Sequence, residues 1–285
     1  MRFNDINKEK IARLKAHIEK EGLDKLDKVT IIYSNEDYHD ALSQTVDEIA
    51  KFKSQKAFVF IDPYGYKEVR ISDIKCLLET TKSEVLLFLP TQFMFRFEAK
   101  GTPESLIEFI TELMPREKWP KSETGIDFIE NLTDAFRNTL PDKFVDSFII
   151  TREKNQFFCL FFFTSHIYGF DRMLDAKWKI DEEDGRGWQY EDANNLFAQV
   201  EKQPNTIKFE KNLLTFLKQP RSNSEAYEFT LHQGHLPTHA VQILMKLQDN
   251  GQLSLKRPDG TDGRKSSFYL NYDNYKNDRV TIKLK

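Results

Sequence analysis

Two apolar runs constrain this chain more than any other feature. Lys56–Ile61 runs straight into Asp62-Pro63-Tyr64-Gly65, and Glu84–Leu89 is stopped by Pro90. Neither run alternates between apolar and polar positions. A strand that is apolar at successive positions is buried on both faces, as a parallel strand between two helical layers is. Amphipathic segments surround the runs. Lys8–Lys20 carries Ile11, Leu14 and Ile18 on one helical face, Tyr38–Lys53 carries Ala41, Leu42, Val46, Ile49 and Ala50, and Ser72–Thr80 carries Ile74, Leu77 and Leu78. Val29–Tyr33 is a short β-branched strand. Strands and helices that alternate with short connections predict βαβ units in a doubly wound, mostly parallel sheet.

The pattern changes at Thr102-Pro103-Glu104, a helix start with Thr at the cap and Pro in the first turn. Helices at about 103–114 and 125–138 form a helical insertion over about 102–140. Phe144–Thr151 and Gln156–Thr164 then read as an antiparallel hairpin, and 181–190 as an acidic, glycine-containing loop. The stretch around Lys218–Ser224 is the most linker-like. Beyond it come helices at 224–230 and 237–248, then strands at 252–256 and 267–272 around a P-D-G-T-D-G turn. This order is winged-helix-like, so the expected division is an α/β domain over 1–217 and a winged-helix-like module over 218–285.

Net charge is −3 over 285 residues, which excludes a uniformly basic nucleic-acid binder. The charge is unevenly spread. Residues 221–285 hold ten Lys or Arg against seven Asp or Glu, about +3, so the rest is about −6. No apolar run approaches the ~18 residues of a membrane-spanning helix, and the N-terminal segment lacks the apolar core of a signal peptide. Cys76 and Cys159 lie far apart in apolar surroundings, as expected of two buried, reduced thiols in a cytoplasm.

Five groups of residues carry candidate chemistry. Asp62 and Tyr64 follow a buried strand, where α/β sheets bind ligands at the carboxyl end; the alternative is a strand terminator with a capping acid. Asn35 and Asp37 hold the same position after Val29–Tyr33, either as adenine or ribose contacts or as caps of the next helix, the cap being favoured. Asp5 precedes the first helix and suits a ribose contact or a frayed terminus. His166 closes the hairpin as a candidate base, with Arg172 and Lys177 as candidate phosphate ligands; a structural histidine is the commoner case. Lys256, Arg257, Arg264 and Lys265 bracket the P-D-G-T-D-G turn and suit phosphate contacts on a wing tip, although the two acids in that turn oppose it. His232, His235 and His239 have no Cys or acid to complete a zinc set. No glycine-rich turn of the kind a nucleotide cofactor requires is found, since Gly22 is the only glycine before Gly65.

The stretches F-V-F-I-D-P-Y-G-Y-K (58–67), S-E-V-L-L-F-L-P (83–90), F-F-F-T-S-H-I-Y-G-F-D-R-M-L-D-A-K-W (161–178) and L-P-T-H-A-V-Q-I-L-M-K-L (236–247) resemble the three-Cys-motif partner proteins of bacteria. The resemblance spans almost the whole chain. It implies a methyltransferase-like, Rossmann-type α/β domain with a C-terminal winged helix, in a mobile-element or phage-related setting beside a three-Cys-motif partner protein. It further implies S-adenosylmethionine as cofactor. Asp62 and Tyr64 match its catalytic turn, and Asp5 and Asn35 match cofactor contacts. The chain departs from the family in starting where a second strand is expected. The missing cofactor loop therefore argues for an inactive methyltransferase-like protein. The alternative is a non-catalytic partner that binds DNA, RNA or protein through its winged helix.

Overall fold

A computed structural model describes residues 1–63, 68–100, 103–153, 156–189 and 203–285. β1 (Arg2–Asn4) leads to α1 (Lys8–Lys20), β2 (Ile32–Ser34) to α2 (Tyr38–Ala50) and β3 (Ala57–Ile61) to α3 (Ile71–Glu79). β4 (Ser83–Leu89) is followed by α4 (Thr91–Lys100), α5 (Glu104–Leu113) and α6 (Gly125–Thr139). The hairpin β5 (Phe144–Glu153) and β6 (Gln156–Thr164) precedes α7 (Ile167–Ile180) and β7 (Gly187–Gln189). The chain ends in α8 (Ile207–Phe216), β8 (Arg221–Ser222), α9 (Asn223–His232), α10 (Pro237–Asp249), β9 (Leu253–Lys256) and β10 (Thr281–Leu284).

The main sheet has the order β3-β4-β6-β5-β7. β3 and β4 are parallel, and β6 is antiparallel to both β4 and β5. β1 and β2 form a separate parallel pair. The expected mixture of parallel strands and a closing hairpin is therefore present, in an α/β architecture.

Side-chain alternation along the strands divides the interior into two cores. Val85, Leu87, Leu89, Phe161 and Phe163 face α2 to α6. Leu86, Phe144 and Phe162, one residue out of phase, face α7 to α10. The continuous run at 84–89 follows from this, since both faces of β4 are covered; the run at 56–61 does not meet the same expectation, because β3 is an edge strand that leaves Phe58 and Phe60 57% and 55% exposed. α8 contributes Phe209, Leu213 and Leu217 to the second core, so residues before 218 take part in the C-terminal module.

Several expectations need correction. The segment 267–272 is not a strand. Its buried Phe268 and Leu270 flank exposed Tyr269, which imitates alternation, but Tyr269 has φ of 53° and cannot continue an extended chain. The third strand of the module is β10 instead. The loop 181–190 contains β7, which pairs parallel to β5. Cys76 is exposed because the buried face of α3 runs through Ile71, Ile74, Leu77 and Leu78, whereas Cys159 is buried. Among the described residues no helix is long and apolar enough to cross a membrane.

α7 joins the two halves of the molecule. Its Lys177 is buried against Asp146 of β5 and donates to the Ser147 carbonyl at 2.8 Å. On the other side Tyr227 of α9 donates to Asp171 at 3.0 Å, and Trp178 Nε1 donates to the Gly234 carbonyl at 2.8 Å. Burial and the Asp171 charge push the Tyr227 phenol up. Lys177 is thus consumed by a buried ion pair and is not a free phosphate ligand.

Candidate nucleic-acid interface

The C-terminal module is built as three helices and three strands. β8, β10 and β9 form one sheet in that order, with β10 antiparallel to both neighbours. Ser222 starts α9 by accepting from Glu225 N at 3.2 Å, while Glu225 accepts from Ser222 N at 2.8 Å. Gly234, at φ of 75°, turns the chain toward α10, whose first residue is Pro237. Ala240, Ile243, Leu244 and Leu247 bury one face of α10. Thr238, Gln242, Met245 and Lys246 are exposed on the rest of its surface. These residues went unnoticed in the sequence. Their signal is the 238, 242, 246 spacing opposite the apolar stripe, a row that lies along one side of a helix.

The wing follows β9. Gly260 takes φ of 83° at its tip, and its N–H donates to the Arg257 carbonyl at 2.9 Å. Both acids of the turn act inside it. Asp259 accepts from Thr261 N and Oγ1, at 2.9 and 2.6 Å, and Asp262 pairs with Lys256 at 2.8 Å. Lys265 pairs with Asp249 at the end of α10, at 2.6 Å, and Ser266 N donates to Gln248 at 2.9 Å. Lys256 and Lys265 therefore brace the wing. Arg257 and Arg264 are exposed and form no ion pair among the described residues.

The other candidates are dispersed. Asp5 and Asn35 meet at the carboxyl ends of β1 and β2, where Asn35 Nδ2 donates to the Asp5 carbonyl at 3.1 Å. The Asp5 carboxylate accepts from Asn7 N at 2.8 Å and lies 3.5 Å from Lys10. Asp37 caps α2, accepting from His39 N at 2.9 Å. Asp62 is exposed just beyond the carboxyl end of β3, and Tyr64 lies outside the described residues. His166 stands at the opposite end of the sheet, because Thr164 pairs with Glu84 near the start of β4. With five residues in β3, that separation is roughly 15 Å. Asp62 and His166 cannot share one substrate. His166 caps α7 through Nδ1, which accepts from Tyr168 N at 3.2 Å.

These residues do not fit S-adenosylmethionine. The Asp5, Asn35 and Asp37 side chains already serve local structure. Among the described residues, the only glycine before the Asp62 turn is Gly22, which follows α1 and has no side-chain or backbone neighbour within 4 Å of an added Cβ. No close backbone cradle is formed there.

His235 and His239 form no zinc set; among the described residues no His, Cys, Asp and Glu group suits a metal. Their Nδ1 atoms lie 3.3 Å apart, and His235 stacks on Phe209 with centroids 4.3 Å apart. Burial lowers both pKa values to about 4, and the His239, Lys177 and Arg186 charges further depress His235. The unfolded chain, with histidines near 6.5, binds more protons between pH 4 and 6.5. Stability present above pH 6.5 is therefore lost as pH falls toward 4. The expected loss is roughly 2 kcal/mol for the pair, allowing for solvent around half-buried His235. Urea titrations at pH 7 and pH 4.5 check this, and His239→Gln should flatten the acid limb.

Residues 181–260 match the family model described as GMT-like wHTH domain. Together with the element order this defines the C-terminal module as a winged helix. No curated protein and no solved structure matches the chain. The family match ends at the wing turn, before β10, and extends to neither a methyltransferase nor the three-Cys-motif partner family.

Proposed function

We propose that the chain is a DNA-binding protein whose winged helix presents α10 to a duplex groove and the 256–265 wing to the phosphates. The observations that carry this reading are the exposed row Thr238, Gln242 and Lys246 on α10 and two exposed wing arginines that form no ion pair among the described residues. Side chains of these types reach base edges from a helix in a major groove, and arginine binds phosphate in fork geometry. The overall charge of −3 makes binding depend on this face alone. Fluorescence anisotropy with a random duplex at low salt tests it. Arg257→Ala/Arg264→Ala should weaken binding about tenfold and reduce the salt slope by about two. No binding by the intact protein to any duplex at low salt would overturn the reading.

A second reading is supported by the sheet. Parallel β1 and β2, parallel β3 and β4 and the inverted hairpin follow the strand directions of a methyltransferase-type domain, with Asp62 at a carboxyl end. On this reading the domain is a non-catalytic scaffold of methyltransferase ancestry. Calorimetry with S-adenosylmethionine is expected to show no heat of binding, and saturable binding would overturn the loss of the cofactor site.

A further inference from the structure

A cavity of about 460 Å³ opens at the amino ends of β3 and β4, at the far end of the sheet from Asp62. Phe58, Glu84 and Thr164 occupy one cross-strand row of its floor. α7 forms the wall, with Tyr168 and Arg172 on the cavity. Gly169 brings α7 close. A Cβ there would meet Glu84 Oε1 at 1.9 Å, so the helix packs against the carboxylate with nothing between. The ring of Tyr272 of the winged helix packs tilted at 49° against Tyr168 with centroids 4.8 Å apart, placing the cavity where the two halves of the chain meet.

The charges around the cavity are unequally satisfied. Lys56 donates to the Thr81 carbonyl at 3.1 Å, and Lys82 to the Ala50 and Phe52 carbonyls at 3.1 and 2.5 Å. Arg172 pairs with Asp171 at 3.1 Å and Asp175 at 3.9 Å. Each cation is turned to a partner. Among the described residues Glu84 has none, and its one polar contact there is the Thr164 hydroxyl, at 3.5 Å. It stands on an interior strand, between β3 and β6, and aromatic rings flank it. Phe58 is 57% exposed on an edge strand, and Phe162 lies beneath. A carboxylate without a cation among the described residues, beside aromatic side chains, is the chemistry that holds an organic ammonium group.

We propose that this cavity binds a small organic cation, with one ammonium group on an apolar body. The ammonium pairs with Glu84 and the body lies on Phe58, Phe162 and Tyr168. The cations at the rim disfavour polyamines and admit a single charge.

Phenethylamine and phenylacetate, alike in shape and opposite in charge, test this by calorimetry and by NMR titration of the full chain. Phenethylamine should bind saturably, and Glu84→Gln should weaken it about tenfold. Phe58→Leu, a change at an exposed site, should weaken it severalfold while leaving the thermal midpoint in place. Preference for phenylacetate would overturn the proposal, assigning the cavity to anions through Arg172 and the lysines. Failure of both ligands to bind, or equal affinity in folded Glu84→Gln, would overturn it as well. Should Glu84→Gln not fold, unchanged phenethylamine affinity in Phe58→Leu overturns it alone.

Discussion

Replacing Lys177 by methionine is expected to lower the unfolding free energy by about 3 kcal/mol. Lys177 and Asp146 are both buried and pair directly, so removing the ammonium leaves a carboxylate inside the joint between β5 and α7. Arg137 stands 3.5 Å from the other Asp146 oxygen and compensates in part, which puts the loss at the low end of the range for broken buried pairs. The double replacement Lys177→Met/Asp146→Leu removes both charges and should recover most of the lost stability, because an apolar pair of similar volume carries no desolvation cost. Urea unfolding of the two variants decides it. A double variant no more stable than the single one would show that packing of the lysine stem, and not the orphaned charge, sets the loss.

Asn223→Ala should cost a similar amount, about 3 kcal/mol, through four hydrogen bonds worth about 1 kcal/mol each less what water recovers. Asn223 is fully buried at the start of α9. Its Nδ2 donates to the carbonyls of Asn274 and Asn277, at 3.2 and 3.1 Å, and its Oδ1 accepts from Arg279 N and Val280 N, at 2.7 and 3.2 Å. One amide thereby fixes the chain that enters β10, the strand between β8 and β9. Asn223→Asp keeps the acceptor but sets an unpaired carboxylate oxygen against the Asn274 and Asn277 carbonyls, so a loss at least as large is expected. Thermal unfolding reads the stability. Duplex affinity measured below the variant's midpoint should fall with it, since β10 supports the wing. An unchanged midpoint in Asn223→Ala would show that the 271–280 segment is held by its own packing.

Much of the architecture was legible because hydrophobic period is local. The runs at 56–61 and 84–89 became β3 and β4, and 237–248 became α10, within a residue or two. α7 was hidden. Gly169 in its first turn reads as a helix breaker, and its reason lies in Glu84, eighty-five positions earlier in the chain. α4 was hidden by Pro90, which ends a strand but also accepts the first helical bonds, from Phe93 N and Met94 N at 3.0 and 3.4 Å. The strand expected at 267–272 failed because apolar alternation does not report φ, and Tyr269 is left-handed.

The sites divide in the same way. Asp37 as a cap follows from its neighbours, and the basic wing follows from composition. The sequence alone determined the α/β class, the winged-helix order and the basic residues around the wing turn, since period, turn chemistry and charge act over a few residues. Only the tertiary structure decided which charges were already spent. Lys177 found Asp146, Lys265 found Asp249, Asp62 and His166 fell at opposite ends of a sheet, and Glu84 was left without a cation among the described residues. Pairing depends on distances set by chain crossings, and no local pattern encodes them.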